Sequence, residues 1–117
     1  MKKHEAIIIQ WKGPYTHEMI EEMEEGNGLY LLGGKLKYER RNWIQYCGIT
    51  EGTYKNRFYN HHKISQIYRE LNIWLGQIIF PKKFSRYYLE IAESIIVYFW
   101  QPELNEKKIL TLPKPLT

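Results

Sequence analysis

Two short runs, Gly28-Leu29-Tyr30-Leu31-Leu32 and Trp43-Ile44-Gln45-Tyr46-Cys47-Gly48-Ile49, constrain the fold most. Both are rich in aromatic, leucine or β-branched residues and are bounded by glycine or charge, which is the composition of strands. Gly33-Gly34 and the polar run Lys35 to Arg41 lie between them and suit a long hairpin connection. Each strand holds one tyrosine beside a glycine. After the second strand, Thr50 to Thr53 reads as a turn, and Thr53 as the cap of a helix through roughly His62. On that predicted helix Arg57 and His61 stand four residues apart, so one face carries both, with Tyr54 beside them. Phe58 points to the core, and His62 is rotated about 100° from His61, towards the surface.

The remaining segments extend this pattern. Residues 5 to 11 read as a strand or extended arm, broken by Gly13-Pro14. Thr16 caps a short acidic helix that Gly26-Asn27-Gly28 ends. Ile64 to Leu71 suits one or two more helical turns. Asn72 to Phe80 reads as a third strand, stopped by Pro81. Ser85 opens SRYYLEIAESIIVYFW, apolar around most of its circumference and so expected to be the central buried helix. Pro102 ends it, Ile109 to Leu112 suits a short edge strand, and the last residues read as a frayed tail. The expected fold class is α/β: a small, mainly antiparallel three-stranded sheet flanked by helices. Residues 1–25 form an N-terminal strand-helix extension on it, 26–107 the main domain and 108–117 a tail.

A chain of 117 residues suits one domain. No run approaches the roughly 20 apolar residues of a spanning helix, so no membrane is expected. The start, MKKHEAIIIQW, lacks the features of a signal peptide. A single cysteine excludes an internal disulfide and fits a reducing compartment, so a cytoplasmic location is the expectation.

The net charge of +4 is unevenly spread. Glutamates crowd residues 18 to 25, whereas residues 53 to 88 hold Lys55, Arg57, Lys63, Arg69, Lys82, Lys83 and Arg86 against Glu70 alone. Such a surface fits a polyanion, or is simply solvated. The chain contains no aspartate. Two-metal hydrolases gather several carboxylates, Asp prominent among them. A metal site here would hold one ion through one glutamate and several waters, which suits Mg²⁺.

Glu93 is the sharpest single residue, a carboxylate inside the most apolar helix. Its plain alternative is a surface position beside Glu90. Tyr30 and Tyr46 are two of ten tyrosines and on their own suit core packing with the hydroxyl at the rim. Arg57 and His61 suit a phosphate clamp or a solvated helix face. Asn105 is by default a turn residue. A Cys47–His nucleophile is disfavoured, since Cys47 alternates away from Tyr46 in an apolar strand. Zinc is disfavoured because one cysteine and four scattered histidines lack ligand spacing.

The order of these parts resembles the GIY-YIG nuclease domain. Gly28-Leu29-Tyr30 stands for its first signature and Tyr46-Cys47-Gly48 for its second. Arg57 matches the helix arginine, His61 follows one turn on, and Glu93 matches the metal-binding glutamate. Asn105 matches a polar residue often found after that helix. The likeness spans roughly residues 26 to 107. It departs at the middle positions, Leu29 and Cys47, where the family has isoleucine, and no segment reads as the extra DNA-recognition domain of many members.

The resemblance implies an endonuclease that hydrolyses DNA phosphodiesters with one Mg²⁺ or Mn²⁺ on Glu93. Tyr30 would take a proton from the attacking water, with Tyr46 as a hydrogen-bonding support. Arg57 would clamp the phosphate and His61 orient it or pass a proton, while Asn105 would orient the phosphate or a water. Lys55, Lys63 and Arg69 are the expected substrate-binding cations. Two rivals remain open: a module of the same fold that binds nucleic acid without cutting, and a subunit that needs a partner protein or a homodimer. A protein-interaction domain using the acidic helix is the third.

Overall fold

The computed structural model describes residues 6–105. In chain order the elements are β1 (Ile8–Tyr15), α1 (His17–Glu21), β2 (Gly26–Leu36), β3 (Trp43–Thr53), α2 (Tyr54–Phe58), α3 (His62–Ser65), β4 (Ile67–Phe80) and α4 (Arg86–Trp100). The α/β class and the antiparallel pairing agree with the expectation. The strand count does not: the sheet has four strands, ordered β1-β4-β2-β3. The N-terminal strand is therefore part of the sheet, not an extension laid on it. It runs through Gly13-Pro14 to Tyr15, with a register shift between Lys12 and Tyr15 in place of a break. Trp11 pairs with Gly76, and its ring fills the space a Cβ at Gly76 would need.

Three helical expectations are corrected. The predicted helix from Thr53 to His62 is two short helices, because Asn60 adopts a left-handed φ of 58°. Asparagine tolerates that conformation better than most residues. Thr53 caps α2 as expected, accepting from the Asn56 amide at 3.1 Å, and His61 caps α3. The second correction concerns residues 64 to 71, where helix ends at Ser65 and β4 begins at Ile67. Pairing of Leu36 with Ile67 and Lys35 with Arg69 draws this stretch into the sheet. Third, α4 is not centrally buried. It buries Leu89, Ala92 and Val97 against one sheet face and leaves Phe99 69% exposed.

Residue alternation along the strands divides the core between the two faces. Tyr30, Leu32, Ile73 and Leu75 pack under α1 and α2 with Ile20, Tyr54 and Phe58. Leu29, Cys47 and Ile78 pack under α4. After α4, the Leu104 amide bonds the Gln45 carbonyl at 2.8 Å, so this segment lies along the open edge of β3. Among the described residues no helix is long and apolar enough to cross a membrane. The expected strand at 109–112 and the tail at 108–117 lie outside the described residues.

Candidate active site

The two tyrosine strands pair so that Tyr30 lies opposite Gly48 and Leu32 opposite Tyr46. Tyr30 and Tyr46 project to the same face, their ring centroids 6.1 Å apart. The glycines of both signatures have packing causes. A Cβ on Gly48 would collide with the Tyr30 phenol and come within 2.9 Å of the Tyr46 ring. A Cβ on Gly28 would collide with the Tyr54 hydroxyl, which donates to the Gly76 carbonyl at 2.9 Å. Tyr54 was expected on the face of Arg57 and His61 but is fully buried beneath the sheet's central strands. The sequence gives no sign of this contact, because it needs Gly28 and Gly76 side by side on strands distant in the chain.

Phe58 meets the Tyr30 ring edge-on at 4.8 Å. His61 stands edge-on to Tyr30 at 5.6 Å and to Tyr46 at 5.5 Å. Its Nε2 lies 2.8 Å from the Tyr30 hydroxyl. Its Nδ1 accepts the Lys63 backbone N–H at 3.1 Å. A ring nitrogen that accepts carries no proton in the neutral imidazole, so the proton sits on Nε2. His61 therefore donates to Tyr30, and the Tyr30 proton points away from His61. Burial and the nearby cations, Arg57 first among them, hold the His61 pKa down to about 4, so the ring is neutral at pH 7.

Tyr30 is fully buried, not at a rim as the strand pattern suggests. Burial raises its pKa far above the phenol range, and the Tyr46 charge adds to this, whereas Arg57 opposes it. The Arg57 guanidinium lies 5.8 Å from the Tyr30 ring centroid, on the exposed side. Tyr46 is half-buried, its pKa raised by burial and lowered by Arg57 and Lys63. Arg57 and His61 both reach the Tyr30 ring, but from either side of a helix break rather than from one helical face.

Glu93 is half-buried on α4. Burial raises its pKa, Glu90 raises it further, and Arg86 and Arg57 pull it down. Its own charge raises the pKa of Tyr30 and of Tyr46, so the carboxylate lies within electrostatic reach of both phenols. Arg86 is engaged elsewhere, with Glu90 at 2.9 Å and Glu51 at 3.2 Å. No hydrogen bond or ion pair to Glu93 occurs among the described residues. A desolvated carboxylate without a protein partner is a group that a hydrated divalent cation fits. No cluster of three or more His, Cys or Glu suited to a metal occurs among the described residues.

Three expected site residues stand apart from the tyrosine cluster. Asn105 spends both ends of its amide on Cys47: its Oδ1 accepts from the Cys47 amide at 3.0 Å and its Nδ2 donates to the Cys47 carbonyl at 2.9 Å. Both ends of its side chain are thereby anchored to the edge of β3. Lys55 is exposed and lines a separate cavity of about 480 Å³ between α1 and α2, with His17, Glu21 and Tyr59. Arg69 stands at the Lys35 end of the sheet, its guanidinium 5.7 Å over the Tyr68 ring. Lys63 stays with the cluster, acting on both Tyr46 and His61. Cys47 is fully buried on the opposite face with a strongly raised pKa, which leaves no thiolate for nucleophilic chemistry.

No protein-family model, no curated protein and no solved structure matches the chain.

Proposed function

We propose that this chain is a GIY-YIG-type endonuclease, hydrolysing DNA phosphodiester bonds with a divalent cation, Mg²⁺ or Mn²⁺, held by Glu93. The observation that carries the reading is the 2.8 Å bond between the Tyr30 hydroxyl and the Nε2 of His61, beneath Arg57 and within reach of the Glu93 charge. A buried phenol with a neutral imidazole donor, an arginine cap and a carboxylate nearby exceeds what packing alone requires.

Arg57, exposed on α2, would hold two non-bridging oxygens of the phosphate in its fork and strengthen its grip as charge builds there. Leaving Tyr30 for the phosphate, it would uncover the phenol. Tyr30, having lost its own proton to solvent, would as the phenolate take the proton of the attacking water. The His61 Nε2–H then steadies the phenolate and does not take its proton. Tyr46 and Lys63 would donate to the same phosphate. A bound cation supplies polarisation of the phosphoryl oxygen and stabilises the leaving oxygen. Glu93 must be ionised to hold it, so cation binding should strengthen as pH rises.

The rival, a module that holds DNA without cutting it, draws support from the burial of Tyr30, whose ionisation costs more than that of an exposed phenol. Supercoiled plasmid with Mg²⁺ or Mn²⁺ separates the two, using the wild-type chain beside Glu93→Gln. The nuclease reading expects cation-dependent nicking that Glu93→Gln loses by at least about 100-fold while it still binds the plasmid. Binding by both proteins with nicking by neither establishes the module.

A further inference from the structure

The far end of the sheet from the Tyr30 cluster gathers cations and open aromatic rings. The β2–β3 connection and the start of β4 meet there, Lys35 facing Arg69. Lys35, Lys37, Arg40, Arg41 and Arg69 stand against only Glu39 and Glu70. Glu70 is taken by Lys35 at 3.1 Å and by the Asn42 side-chain amide at 3.0 Å. Three rings each carry a cation: Lys37 at 5.3 Å from the Tyr38 centroid, Arg41 at 4.3 Å from Trp43, and Arg69 over Tyr68. Trp43 is backed in turn by Trp100 at 5.3 Å, which steadies Arg41 at the surface.

Tyr38 is the telling residue. It is 94% exposed, and its φ is 69°. Glycine or asparagine takes that left-handed conformation more readily than a bulky residue does. The turn thus presents a large ring to solvent where a small residue is the ordinary choice. Flat ring faces among fixed cations suit a nucleic-acid strand with unstacked bases: phosphates meet the cations, and a base stacks on the ring. Duplex bases, already stacked, offer no face to Tyr38.

The strand run from Tyr30 to Lys35 spans about 17 Å, a reach of only a few nucleotides for an extended, unstacked strand. We propose that this cationic, aromatic end of the sheet anchors an unpaired stretch of the DNA strand, a few nucleotides from the bond at the Tyr30 cluster. The placement relative to a cut rests on the nuclease reading; the binding itself does not.

The test measures fluorescence anisotropy of a labelled oligothymidylate and of a blunt duplex of equal length, with Glu93→Gln as the non-cutting background. Adding Tyr38→Ala should weaken oligothymidylate binding about tenfold and leave duplex binding nearly unchanged, while Tyr38→Phe keeps the affinity. Arg41→Ala should lower the salt dependence of single-strand binding by about one phosphate. A Tyr38→Ala chain that binds both probes like its parent, or loses both equally, overturns the anchor. So does a parent that binds no oligothymidylate. Tyr38 is exposed, so an unchanged melting temperature is expected and excludes misfolding as the cause. Absence of nicking by the wild-type chain in the plasmid assay, with these binding results intact, would defeat the nuclease reading alone.

Discussion

A phenol fully enclosed beside an imidazole that has no proton to spare for acid chemistry fixes what each of the two residues can do. Tyr30 has a donor on its oxygen, and His61 has its Nδ1 occupied by a backbone amide. The histidine therefore stays neutral, with a folded pKa near 4 against an unfolded value near 6.5. Between those values the unfolded chain binds a proton that the folded chain refuses, so stability falls as pH drops through that window. The loss attributable to His61 is on the order of 2 kcal/mol. Urea unfolding at about pH 7 and about pH 4.5 should show it in the wild type and not in His61→Gln. Parallel pH dependence in the two proteins would mean that His61 titrates normally. Glu93 acts in the opposite sense, because its raised pKa lets the folded chain take up a proton first as pH falls.

Short elements joined at strained points assemble the cluster. The strand pair was legible in the sequence because Gly28-Leu29-Tyr30 and Tyr46-Cys47-Gly48 alternate cleanly and end at glycine or charge. Arg57 was legible as a residue placed just after the second strand. The Tyr30–His61 bond was not, since it depends on Asn60 breaking the helix rather than on helical spacing. Nor was the full length of β4, which register with β2 sets against the local preference of residues 64 to 71. The helix α4 read as all-round apolar, yet a sheet offers it one face only, so Ile95 and Phe99 remain in solvent. Asn105 belongs to this scale too. It replaces the missing neighbour strand at Cys47, where the backbone would otherwise lack a partner on a buried edge. Asn105→Ala should cost about 1–3 kcal/mol by leaving that edge unsatisfied. Thermal unfolding checks this, and a melting temperature equal to wild type would show that the clamp carries no weight.

At the scale of the whole molecule the chain is a slab of 47 × 33 × 20 Å. One sheet separates two small cores, with Arg57 on the helix over one face and Glu93 on the helix over the other, its charge felt by Tyr46. The acid comes from α4 on the Cys47 face, the arginine from α2 on the Tyr30 face, and the edge strand β3 lies between them. The proposed function gives these two side chains one joint task. Groups that act as one chemical unit lose their effect together, whereas independent contributors lose it in multiples. The decisive measurement is the single-turnover cleavage rate of a labelled duplex with Mn²⁺ for wild type, Arg57→Ala, Glu93→Gln and the double variant. The account expects each single change to cost at least about 100-fold and the double variant to be hardly slower than the worse single one. Losses that multiply, or single variants that cut like wild type, would contradict it.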